Sequence, residues 1–178
     1  MSDRAMHPKS RELLRCWADL DAAGEAGAVA GADAGARGLL GHLFLLGRSD
    51  GDLFLFRLAG AEVAPAFGRD LRDHDFASLW RAVHRPLVRA GLSAALSARA
   101  PLCLRATATR ARRGASTPVE FVFLPLADER PGRLLGMYQP LRRVPADAGP
   151  IAALTLDALF APEPRGETPR LRLVSSRD

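Results

Sequence analysis

The side chains that could do chemistry in this sequence are few and lie far apart. His74 stands between Asp73 and Asp75, and an Asp-His-Asp string supplies oxygen and nitrogen metal donors. Adjacent residues rarely converge on one ion without a further ligand, so the string reads as a loop rather than a metal site. His84 falls on a predicted helix beside Arg81 and Arg85 and reads as a polar helix residue, while His42 opens a predicted strand. The two cysteines, Cys16 and Cys103, sit in different segments and match neither a disulfide framework nor a zinc pattern. Cys103 is followed by apolar Leu104 and has no base nearby in sequence, so both thiols read as buried small hydrophobes in a reduced compartment. The string Gly60-Ala61-Glu62-Val63-Ala64 lacks the glycine spacing and the lysine of a phosphate loop. No Ser/His/Asp or Cys/His arrangement is discernible, and the reading is of a protein that is not an enzyme.

Arg57 is the charge to watch, because it closes an otherwise apolar strand. A half-buried guanidinium must find a carboxylate or carbonyls. The structural reading pairs it with Asp70 or Glu120, pinning a crossover to a sheet; the functional reading has it grip an anionic ligand. Of 25 basic residues only Lys9 is a lysine, and the formal net charge is +5. Nucleic-acid binding predicts basic residues clustered on one face with aromatics between them. Here the arginines are scattered near Asp and Glu, and the densest run, Arg110, Arg112 and Arg113, reads as a hairpin loop. A solvated arginine-rich surface is therefore expected.

The 178 residues suit one domain with short extensions, and 48% hydrophobic with 25% charged residues is ordinary for a globular chain. Met1 to Ser10 is polar and shows no secretory signal, and no apolar run approaches a membrane span. A cytoplasmic location is expected.

The elements that must position these residues follow from periodicity. Residues 10–21 predict an amphipathic helix capped by Ser10, with Leu13, Leu14, Trp17 and Leu20 on one stripe. Residues 22–37 are Ala/Gly-rich and read as a linker. Apolar runs at 42–47 and 53–59 flank Ser49-Asp50-Gly51-Asp52, a strong hairpin signal, with Phe54, Phe56 and Leu58 on one face. Residues 77–98 predict a longer helix, weakened at Pro86 and Gly91, whose buried stripe is Leu79, Val83, Leu87, Ala90 and Ala94. Three strands, 102–110, 118–126 and 133–141, make a meander. Residues 151–160 and 170–174 could be short strands or docked segments and find no place in this scheme. Two strands, a helical block and three strands define an α+β fold.

That order is the order of a PAS domain, and the residues carry a closer likeness. Phe44-Leu45-Leu46, Phe56-Arg57-Leu58-Ala59-Gly60, Phe67-Gly68-Arg69-Asp70-Leu71, Asp75-Phe76 and Leu79-Trp80 resemble, in order, the motif string of the bacterial PAS_5 family. Residues 121–126 and 134–136 resemble its closing strands, and the helix with Trp17 its lead-in. The likeness covers roughly residues 10–141 and departs at Ala61, where the family has threonine. It implies a PAS-like five-stranded antiparallel sheet with a helical crossover on one face, plus an N-terminal helix. It also implies a signalling module that senses or interacts and is often not attached to an output domain. A histidine on the crossover helix holds haem in some PAS domains, which would give His84 a role. Covalent flavin photochemistry in PAS relatives uses a crossover cysteine, and none lies between Gly60 and Ala98; Gln139 echoes a flavin-contacting glutamine. The cofactor is unknown from sequence.

The resulting expectation has three parts: an N-terminal helix and linker at 1–37, a PAS-like domain at 38–142 and a C-terminal extension at 143–178. Phe56, Leu58, Phe76, Trp80, Leu87, Leu104, Phe121 and Met137, with Arg57, would line a pocket between sheet and crossover, or else form a packed core. Leu13, Leu14 and Trp17 would form an interaction face, packed on the chain's own domain or on a second copy as a homodimer. Function is then signal transduction by binding a small molecule or a protein partner. The rivals are a ligand-free protein–protein adaptor and a basic nucleic-acid-associated protein.

Overall fold

The computed structural model describes residues 6–22, 38–112, 116–127 and 132–162. Of the predicted linker at 22–37, Ala22 closes a helix and residues 23–37 lie outside the described residues, as do Arg113 and the segment 170–174. Helix α1 spans Pro8–Ala22, and strands β1 (Leu43–Ser49) and β2 (Leu53–Ala59) form the predicted hairpin. Its turn puts both Gly51 and Asp52 at positive φ (76° and 60°), which glycine and aspartate tolerate. The crossover contains a short helix α2 (Val63–Phe67), two 3₁₀ turns (Phe76–Leu79 and Ala82–His84) and helix α3 (Arg85–Ala98). Strands β3 (Leu102–Arg110), β4 (Ser116–Pro125), β5 (Arg133–Pro140) and β6 (Ile151–Phe160) complete the chain.

All strands join one antiparallel sheet in the order β2-β1-β5-β4-β3-β6. The expected five-stranded sheet is thus corrected to six. Strand β6 is the segment 151–160 that the sequence offered as a short strand or docked segment; its place was not legible because it is an edge strand with a weak, half-exposed alternation, interrupted by register shifts opposite Arg105/Ala106 and Thr109/Arg110.

Alternation along β4 defines the two faces. Phe121 and Phe123 point to the crossover, whereas Val122 and Leu124 point to α1. The sheet therefore carries the crossover on one face and α1 on the other. Helix α1 lays Ser10, Leu13, Leu14 and Trp17 on the sheet at i, i+3, i+4 and i+7, and the Trp17 indole donates to the Pro125 carbonyl at 3.1 Å. Ser10 is accordingly not the cap. It lies within the first turn of the helix, fully buried, and Pro8 opens the helix while His7 Nδ1 accepts from the Lys9 amide at 3.2 Å.

Two expectations about the crossover also need correction. The helix starts at Arg85, not near residue 77, because Pro86 fits only the first turn of a helix. Its buried stripe is Val88, Gly91, Leu92 and Ala95, so Val83 and Leu87 of the expected stripe are exposed, at 78% and 54%. In β2, a bulge pairs Leu45 with Leu58 and Leu46 with Phe56, leaving Arg57 as the extra residue. Alternation fails there, and Leu58 is 62% exposed instead of facing the core.

Asp75 ties the crossover together. Its carboxylate accepts from the amides of Phe54 and Ala77 and pairs with Arg89 of α3 at 2.6 Å. Among the described residues no helix is long and apolar enough to cross a membrane.

Candidate functional site

The space between sheet and crossover is occupied by aromatic side chains. Phe44, Phe56, Phe76, Trp80, Phe121 and Phe123 are each no more than 2% exposed. Neighbouring ring centroids lie between 5.2 and 6.4 Å apart, within the range of favourable edge and offset contacts. Phe44 reaches across β5 because its partner there is Gly136; a Cβ at that position would come within 2.2 Å of the ring. Of the sequence-predicted pocket residues, Phe56, Phe76, Trp80, Leu104 and Phe121 meet in this cluster. Met137 lies on the opposite face, in the cluster under α1. Leu58, Leu87 and Arg57 are exposed. Leu13, Leu14 and Trp17 are buried against the chain's own sheet.

The charged candidates disperse in the same way. Arg57 pairs with Asp73 at 2.6 Å, not with Asp70 or Glu120. His74 Nδ1 sits 3.1 Å from the Arg72 carbonyl while Asp75 turns inward to Arg89, so the Asp-His-Asp string diverges. No three His, Cys, Asp or Glu side chains among the described residues are placed to share a metal ion. His84 is the residue preceding α3 and belongs to no core cluster. Burial, aided by the nearby Glu120 carboxylate, pushes the Cys103 thiol far above its ordinary value, so it stays protonated and a poor nucleophile.

Glu120 is the buried charge that sequence reasoning placed wrongly. It is fully buried on the α1 face, pairs in register with Arg105 and accepts from the Arg105 guanidinium at 3.2 and 3.3 Å. It also accepts from the His7 amide at 3.1 Å, directly ahead of α1. A carboxylate at a helix N-terminus is favoured by the helix dipole, so Glu120 both neutralises Arg105 and anchors α1. The signal was present in the sequence: lone charges at matching positions in two successive apolar strands.

A recess lies elsewhere, at the sheet end where β1 begins and β3 and β5 finish. It measures about 800 Å³ and is walled by the start of α1, by α2 and by the β5–β6 connection at 141–150. Its walls are largely Pro65, Pro140, Leu141, Val144, Pro145 and Pro150. Its polar groups include His7, His42, Arg110, Tyr138, Gln139 and the neighbouring Arg142, facing Glu62. Arg110 is held rigid by a bond to Thr117 Oγ1 at 3.3 Å and another to the Gly149 carbonyl at 2.8 Å. Burial lowers the pKa of His7, with Lys9 and Arg11 acting in the same direction and Glu120 opposing. Burial also lowers that of His42, reinforced by Lys9, whose ammonium stands 3.4 Å from Nε2, and opposed by Glu62. The Tyr138 hydroxyl is pushed up by burial, against the pull of the Arg110 charge and its hydrogen bond. Of these residues only Gln139, His42 and Arg110 drew notice in the sequence, and none for this place. The readable signal was the pair Arg142-Arg143 where a strand runs out into a proline-rich turn.

The sheet order with its helical crossover is that of a PAS domain, and comparison with family models agrees. The PAS_5 model, a PAS domain, matches residues 5–139, more than half of the chain, and the protein belongs to that family. The match ends at the close of β5, so β6 and the 141–150 wall of the recess lie beyond it. No curated protein matches the chain.

Proposed function

We propose that this protein is a non-catalytic regulatory module of a signal-transduction system, which works by binding and not by turning over a substrate. Membership of the PAS_5 family carries this reading, since PAS domains are sensory and regulatory modules. The aromatic packing of the interior favours recognition at the surface over a cofactor held at the centre, because a closed set of rings leaves its contacts to one another. A ligand or partner that prefers one packing of the crossover or of α1 would then shift the population between states.

Native mass spectrometry with an absorbance scan of the purified protein tests this reading. The expected result is the bare polypeptide mass, or a whole-number multiple of it, with a flat visible spectrum. A tightly retained chromophore or cofactor mass would overturn recognition at the surface in favour of a central sensor.

A further inference from the structure

The recess at the sheet end combines unmet hydrogen-bonding capacity with an excess of positive charge. Tyr138 and Gln139 are both more than nine-tenths buried, at 2% and 7% exposure, and both line it. Yet Gln139 Oε1 has no hydrogen-bond partner among the described residues, and the Tyr138 hydroxyl is oriented by the Arg110 guanidinium beside it. Buried polar groups are nearly always satisfied, so an open acceptor in the wall of a recess points to something that completes it. Water would do so anywhere; the charge and the walls narrow the choice. Arg110, Arg142 and Arg143 line the recess, and among the described lining residues Glu62 supplies the one carboxylate. Prolines make the walls apolar and stiff, which lowers the cost of ordering the site around a guest. The volume falls within the span of small-molecule sites.

We propose that this recess binds a small organic anion, a carboxylate or phosphate ester with an apolar body. The arginines hold the anionic group, the prolines pack the body, and Tyr138 and Gln139 fix its orientation. The proposal rests on the reading of the chain as a binding module and gives that module a site away from the aromatic interior. The 141–150 wall lies outside the residues matched by the family model, whereas His42, Arg110, Tyr138 and Gln139 lie within them.

The test is a thermal-shift and calorimetric panel on the full chain with benzoate and phenyl phosphate, set against benzyl alcohol and benzylamine. The anions are expected to bind and raise the melting temperature with saturation, and the neutral and cationic analogues to bind at least tenfold more weakly. The double variant Arg142→Ala/Arg143→Ala changes exposed residues and should weaken the anions at least tenfold without lowering the melting temperature of the free protein. Tyr138→Phe should reduce affinity severalfold, because it removes the hydroxyl that, beside Arg110, orients the guest. Binding that ignores charge sign, or that survives both variants unchanged, overturns the proposal. So does no binding up to tens of millimolar. Such a failure leaves the regulatory reading standing, whereas a resident chromophore would sink the surface-recognition reading whatever this panel shows.

Discussion

Glu120 illustrates how one side chain links two halves of the molecule. A carboxylate with no exposure survives in a sheet only because a guanidinium and a backbone amide both donate to it. Removing it leaves Arg105 opposite an apolar gap and the start of α1 without its acceptor. Glu120→Ala should therefore cost about 3 kcal/mol or more in urea unfolding; a cost below about 1 kcal/mol would mean that the pair is exposed in solution. The cysteines make a second residue-scale case. Cys103 is buried and its thiol is pushed far up by that burial, while Cys16 on α1 is partly exposed. One thiol should react with a disulfide reagent in the native protein and the second only in denaturant. Rapid labelling of both would contradict the packing under α1. At this scale the sequence was a fair guide to character and a poor one to partners. Arg57 was correctly singled out as a charge needing a carboxylate, but the bulge in β2 sends it to Asp73, and no periodicity reveals a bulge.

Among the elements, the crossover shows most clearly where pattern reading runs out. Strands β2 and β3 emerge with the bounds that alternation predicts, because each alternates or runs apolar between clear turn signals. The helix does not. Residues 77–98 offer two apolar stripes, and the choice between them is made by Pro86, which starts the helix late and turns Val88 and Leu92 inward instead of Val83 and Leu87. The 3₁₀ turns ahead of it are held by Asp75 rather than by any pattern of apolar residues. Asp75→Ala removes a cap, an acceptor for the β2 amide of Phe54 and a partly exposed pair with Arg89. The sum should be about 2 kcal/mol, most of it from the cap and the amide, with solvent screening the ion pair. Hydrogen exchange should locate the loss: amides of 76–79 and the start of α3 should open before those of β3 and β4. Uniform acceleration across the sheet would show that Asp75 does not act locally.

For the whole molecule, sequence order and motif spacing were enough for the class of fold. Strand content was read correctly through β5, and the PAS_5 likeness drawn from residues 10–141 agrees with the family match at 5–139. What the sequence could not say was how the apolar residues divide between two faces. Met137 and Phe121 look alike in a pocket list, yet they sit on opposite sides of the sheet, and only the register of β4 and β5 separates them. The recess at the sheet end was invisible for a related reason. It is assembled from α1, β1, α2, β3 and β5 together with a connection that carries no periodic signal. The central claim is that the interior is closed by its own rings, so that a signal must be read from outside it. Phe76 stands at the middle of that packing, in contact with Phe44, Phe56, Trp80, Phe121 and Phe123. The most direct measurement is the unfolding free energy of Phe76→Ala by urea titration. A closed interior predicts a loss of about 3–5 kcal/mol, the cost of a cavity that its neighbours cannot fill. A loss below about 1 kcal/mol would show that the ring borders open space, and the interior would then be a ligand pocket after all.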